Sequence, residues 1–246
     1  MLTAFGRNNS HASVSDRDVM FKHFFTPWLL ASCLVFAFAG DFYVGKALLE
    51  NVRKHYGDKA GKRMQAWQNL LDGSRGLSEA AKLEKVNQFF NQLRFISDLR
   101  HWGEEDYWAT PVEFLASGGG DCEDFSIAKY FTLRELGVAD EKLRITYVKA
   151  LKLNQAHMVL SYYAKPDAEP LILDNLEGDI LKAGARKDLQ PVYNFNGDGL
   201  WLARQRGKGV RIGKADRISL WMDLRKRLRL SVEQGETGNA GAGAKP

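Results

Sequence analysis

Three glycines in a row lead directly into an acidic cluster that holds a cysteine: Gly118-Gly119-Gly120-Asp121-Cys122-Glu123-Asp124. The run sets the cysteine on a glycine hinge. A helical pattern starts at once, with apolar residues at Phe125, Ala128, Phe131 and Leu136 and Gly137 where a C-terminal cap belongs. Cys122 therefore falls in the first turn, where free N–H groups and the helix dipole favour a thiolate. Downstream the chain has one histidine, His157, and then Asp174. A thiol, an imidazole and a carboxylate in that order suit a nucleophile, its base and the group that orients the base. The ordinary alternative is a small apolar cysteine packed in a core. Three carboxylates and three glycines around it make poor core material.

The rest of the pattern gives an α+β chain. From Lys46 to about Arg100 apolar residues recur at helical spacing in three stripes: Leu48, Leu49, Val52 and Tyr56; Met64, Trp67, Leu70 and Leu71; Leu83, Val86, Phe89, Phe90 and Leu93, entered near Ser78. Their aromatic members read as core. Residues 102–111 form an aromatic, acidic loop that leads into a short helix near Val112–Ala116. After the Cys122 helix come three strand-like runs, at 143–153, 157–163 and 171–174, the first two joined at Asn154-Gln155-Ala156. Antiparallel neighbours of this kind bring His157 and Asp174 to one sheet edge facing the Cys122 helix.

With 246 residues, 45% of them hydrophobic, the chain can bury one substantial core. Residues 201–230 hold ten Lys/Arg against two Asp, out of a net charge of +5. Trp201, Leu202, Val210, Ile212, Leu220, Trp221 and Leu224 interrupt that basic run, which fits a terminal strand and helix with solvated faces better than a nucleic-acid surface.

The first 39 residues read as an export signal. Lys22 follows Met20, Phe24 to Ala39 is mostly apolar, and Ala37-Phe38-Ala39 is a small-x-small cleavage site before Gly40. Residues 1–19 stand upstream of that pattern as an extension. The apolar run is short of the roughly 20 residues a spanning helix needs. A retained anchor, or a lipoprotein box at Leu30-Ala31-Ser32-Cys33, is the alternative. Cleavage after Ala39 removes Cys33 and leaves Cys122 without a disulfide partner. The domain proper then covers 40–233, and the Gly/Ala-rich 234–246 reads as a disordered tail.

A helix that bears the cysteine, followed by strands that bear His and Asp, resembles the transglutaminase-like branch of papain-fold enzymes. Asp106-Tyr107-Trp108-Ala109-Thr110-Pro111, Gly119-Gly120-Asp121-Cys122-Glu123-Asp124, Ile127-Ala128-Lys129-Tyr130-Phe131, Ala156-His157-Met158-Val159-Leu160 and Leu173-Asp174-Asn175-Leu176 together resemble the bacterial transglutaminase-like cysteine proteinases, over about residues 46 to 225. The resemblance implies a papain-like fold with the nucleophile helix packed on an antiparallel sheet. It also implies a periplasmic, calcium-dependent endopeptidase that clips the N-terminal region of a large repeat-type surface adhesin and releases biofilm cells. An inner-membrane receptor for cyclic diguanylate is the implied partner.

In that assignment Cys122 attacks, His157 carries the proton and Asp174 orients the imidazole. Asn175 is an alternative orienter, and His101 a competing base in a polar loop. A carboxylate ~4 Å from a thiolate costs on the order of 1 kcal/mol in water and ~4 kcal/mol at an effective dielectric of 20. Asp121, Glu123 and Asp124 thus outweigh a dipole benefit of ~0.3–1 kcal/mol. They are either helix caps or ligands of a cation. The chain has no EF-hand spacing, and the local acids need another loop, main-chain carbonyls or waters to complete a shell. The family resemblance selects calcium, with Asp121 and Glu123 foremost. A transglutaminase, a cell-wall amidase, and a calcium-binding interaction module with an inert thiol are the competing functions.

Overall fold

The computed structural model describes residues 45–203 and 209–240; the export segment, and the tail beyond residue 240, lie outside the described residues. Three helices come first, α1 (Lys46–Tyr56), α2 (Asp58–Asp72) and α3 (Glu79–Phe90), matching the three apolar stripes. Ser78 caps α3, its side chain accepting the Ala81 N–H at 3.3 Å. A short strand β1 (Arg94–Phe95) and one turn of helix α4 (Asp98–His101) precede the acidic loop. Then α5 (Pro111–Ser117) and β2 (Gly119–Gly120) lead to the nucleophile helix α6 (Cys122–Glu135).

The remainder is mostly sheet: β3 (Leu143–Ala150), β4 (Gln155–Tyr162), β5 (Leu171–Leu173), β6 (Leu181–Lys182), β7 (Leu189–Phe195), β8 (Gly199–Leu202) and β9 (Val210–Lys214), closed by the helix α7 (Ser219–Ala240). The seven strands are antiparallel in the order β6-β5-β4-β3-β7-β8-β9. Period-two alternation divides the sheet's two faces. Leu143, Ile145, Met158, Leu160, Leu173 and Phe195 join the main core with the helices, whereas Val148, Val159 and Ile172 form a small separate cluster.

The core lies between the sheet and the helices, with α6 at its centre. Trp67 from α2 and Trp221 from α7 are both fully buried, each such side chain contributing about 1.5–3 kcal/mol by leaving water. Trp67 donates to Thr132 Oγ1 on α6 at 2.9 Å, and Trp221 packs against the rings of Tyr130, Phe131 and Phe195. α6 is buried almost all round, not along one stripe, because helices cover the sides that the sheet does not.

Two expected boundaries move. The β3–β4 connection is Leu151-Lys152-Leu153-Asn154, and Asn154 closes it at φ 50°, a conformation asparagine tolerates. β4 therefore begins at Gln155, two residues before His157. At the other end α7 continues to Ala240, so the helix carries past residue 234, where the tail was expected to begin. Of the late basic run, Arg227 turns inward: it donates to Tyr107 Oη at 2.8 Å and to the Trp108 carbonyl at 2.6 Å, and it pairs with Glu113. That clamp fixes the loop leading into α5.

Candidate active site

The glycine run has a steric explanation. Gly118 ends α5 in the left-handed region at φ 83°, and Ile96 N–H bonds the Gly120 carbonyl at 2.8 Å. A Cβ on Gly120 would lie 2.0 Å from Asp124 Oδ2. The space belongs to a cap: Asp124 is fully buried, with Oδ1 accepting Ala109 N–H at 2.7 Å and Oδ2 accepting Asp121 N–H at 3.3 Å. Asp124 thus fixes the start of α6 and ties it to the loop before α5. Its role is first that of a cap, with both oxygens committed to the main chain.

Cys122 is half-buried at the start of α6. Its thiol donates to Glu123 Oε2 at 3.0 Å and faces the main-chain N–H of Met158, the residue after His157. Burial pushes the thiol pKa up, the Glu123 and Asp121 carboxylates push it further, and the Met158 N–H opposes them. The helix-start benefit is therefore overridden, and among the described residues no hydrogen bond joins the thiol to His157. The thiol keeps its proton and points it at the carboxylate.

His157 and Asp174 are brought together as expected. The imidazole Nε2 lies 2.8 Å from Asp174 Oδ1, and both side chains are buried. Asp174 follows β5 directly, and its neighbour strand β4 carries His157 opposite Val148 of β3. The carboxylate also accepts Leu176 N–H at 3.0 Å, and Arg186 pairs with Oδ2 at 2.8 Å. Burial alone would raise its pKa; the imidazole, Leu176 and Arg186 together hold it down at about 2. The orienting partner is Asp174, not Asn175. His101 stands elsewhere, its ring edge-on to Trp102 with centroids 4.6 Å apart.

The acidic residues do not stand alone, and sequence reasoning found only part of their cluster. Oxygens of Asp98, Asp106 and Glu123 lie within 4.8 Å of one another, as do those of Asp98, Asp121 and Asp124. Asp98 gives one oxygen to Tyr107 N–H at 2.6 Å, while its Oδ1 and Asp121 Oδ1 are buried with no hydrogen-bond partner. Burial raises Asp98 to about 6, and burial with the bond and charge of Glu123 raises Asp121 to about 9. Unpartnered, crowded carboxylate oxygens are the donor set a hard cation such as calcium takes, at about 2.3–2.6 Å. The acidic loop at 102–111 was the available signal for Asp106; Asp98 gave none beyond opening a short helix. Lys129 lies buried two turns along α6 from Cys122, and its amine is pushed down to about 7 by burial, with Asp174 opposing the shift.

Comparison with known proteins places this geometry. No curated protein matches the chain. Residues 64–187 match the model of the bacterial transglutaminase-like cysteine proteinases. Among solved structures, EGTA-treated Legionella pneumophila LapG is 49% identical, with 73% of this chain and 97% of that chain covered, at a TM-score of 0.65. Calcium-bound Legionella pneumophila LapG is 50% identical, with 73% of this chain and 98% of that chain covered, at a TM-score of 0.63. A helix-start cysteine, a buried His–Asp pair on neighbouring strands and this likeness lead to one assignment: the chain belongs to the bacterial transglutaminase-like cysteine proteinases and is a cysteine peptidase of the LapG type.

Proposed function

We propose that this peptidase is a calcium-dependent periplasmic endopeptidase that cuts the N-terminal region of a large repeat-type surface adhesin and so releases it. In the same reading an inner-membrane cyclic-di-GMP receptor holds the enzyme back. The observation that carries the calcium part is the cluster of unpartnered buried carboxylate oxygens on Asp98 and Asp121 beside the nucleophile, in a chain half identical to a calcium-bound relative. The export pattern at 20–39 supports the periplasm, and the family resemblance supports the adhesin and the receptor.

The chemistry follows from the contacts. Asp174 occupies Nε2 of His157, which leaves Nδ1 to exchange a proton with Cys122. The Cys122 sulfur adds to the scissile carbonyl while the imidazole takes the thiol proton. The proton then passes to the departing amine as the C–N bond breaks, and water releases the acyl group from sulfur. Asp121, Glu123, Asp98 and Asp106 would hold the ion, with Asp124 shaping the loop beneath them. When bound, calcium supplies positive charge that offsets these acids beside the thiol. Glu123 would then be drawn from the 3.0 Å bond that the thiol makes to it, and Cys122 would be free to turn to His157.

The test is incubation of the purified protein with an adhesin N-terminal fragment, in calcium and in chelator, alongside Cys122→Ala and His157→Ala. Cleavage in calcium alone, lost in both variants, is the expected result. Cleavage by Cys122→Ala, full activity in excess chelator, or amine cross-linking without cleavage would overturn the reading.

A further inference from the structure

Arg186 stands behind the His157–Asp174 pair on a segment that carries no reacting group. It follows a 3-10 turn at Ala183–Ala185, and its side chain is 7% exposed. Nη2 forms an ion pair with Asp174 Oδ2 at 2.8 Å, without hydrogen-bond alignment, while Nε and Nη2 donate to Asp188 Oδ1 and Oδ2 at 3.0 and 2.9 Å. A buried guanidinium needs a counter-charge, and a single carboxylate would neutralise it. This one has two, and one of them is the residue whose other oxygen faces the imidazole. The remaining nitrogen, Nη1, has no partner, and Arg186 borders a cavity of about 470 Å³ with Val148, Val159 and Ile172. The guanidinium is therefore fixed by its carboxylates more than by close packing.

We propose that Arg186 is a positioning residue for catalysis: anchored on Asp188, it holds Asp174 Oδ2 so that Oδ1 stays directed at His157 Nε2. The competing explanation is that Arg186 only neutralises buried acids for the sake of the fold. The two differ in what happens to the bond between Asp174 Oδ1 and His157 Nε2. A cation that only neutralises can be exchanged for Lys at no cost to that bond, whereas a guanidinium that sets the carboxylate's orientation cannot.

The proposal rests on the peptidase reading but not on the adhesin, so its test reads the His157–Asp174 bond as well as turnover. The His157 Nε2–H resonance, the signature of that bond, is followed by NMR in the calcium-loaded full chain for wild type, Arg186→Gln, Arg186→Lys and Asp188→Asn. All three variants should shift or broaden it. Arg186→Lys should also lose part of kcat, because an ammonium is a point charge and cannot bridge two carboxylates. On any cleaved substrate kcat for Arg186→Gln should fall about 10–100-fold with KM unchanged, as for other partners that orient a functional side chain. Should Arg186→Gln fail to fold, the pair Arg186→Lys and Asp188→Asn decides. An unchanged Nε2–H resonance in Arg186→Lys and Asp188→Asn, or an undiminished kcat in Arg186→Lys, would overturn the positioning role, whatever the substrate.

Discussion

Calcium binding should expel protons, and the number follows from the acidic cluster. Asp121 is held up at about 9 and Asp98 at about 6. At pH 7.5 Asp121 therefore keeps its proton while Asp98 is largely ionised. Burial raises Glu123 as well, so binding at pH 7.5 should release at least one proton, and more below pH 6. With one proton linked, apparent affinity should rise about tenfold per pH unit between pH 6 and 9, then level off. Each such unit is worth about 1.4 kcal/mol. The same groups fix a sign for stability. A carboxyl whose folded pKa exceeds its unfolded value of about 4 binds more protons when folded, so the calcium-free protein should lose stability as pH rises from about 4 towards 9. Calcium should remove that decline. Titration calorimetry at pH 7.5 in buffers of different ionisation enthalpy reads the proton count directly, and thermal melts across pH with and without chelator read the stability. Asp121→Asn should lower the proton release and weaken binding. Measurable calcium binding with no buffer dependence in wild type, or an affinity that stays flat from pH 6 to 9, would refute the electrostatics derived from these contacts.

Two substitutions test the geometry on either side of the nucleophile. Glu123→Gln, in chelator, removes a unit charge 3.0 Å from the thiol, worth about 1.4 kcal/mol even at the dielectric of water; alkylation of Cys122 by iodoacetamide near neutral pH should speed up at least about tenfold, and an unchanged rate would show that the carboxylate does not restrain the thiol. Gly120→Ala sets a Cβ 2.0 Å from Asp124 Oδ2 and should cost about 1–3 kcal/mol, several degrees in a thermal melt; Gly76→Ala, which meets nothing within 4 Å, is the control, and equal melts for the two would exclude the steric role.

The sequence carried the fold wherever one element buried one face. The stripes of α1, α2 and α3 are regular because each helix turns a single side to the core. α6 was legible as a helix but not as a central one, since Ser126, Lys129 and Thr132 are buried there despite their polarity. Local chemistry was legible too: a helix-start cysteine between acids has meaning within seven residues. His157 and Asp174 could be named because few residues of their type follow the cysteine at the ends of strand-like runs. Asp98, Asp106 and Arg186 were missed for a common reason. Each acts through a contact made by the tertiary fold, and each looks in sequence like an ordinary surface charge. Their positions show why such a site is assembled from distant segments. The acids nearest Cys122 raise its pKa, and the first turn of α6 carries no basic side chain to answer them. In the reading proposed above, the compensation comes from elsewhere: an ion held jointly with residues 98–107 on one side, and on the other an imidazole kept in register through Asp174 and Arg186. Under the proposed function, the acids that silence the thiol without calcium are the same ones that make it depend on calcium.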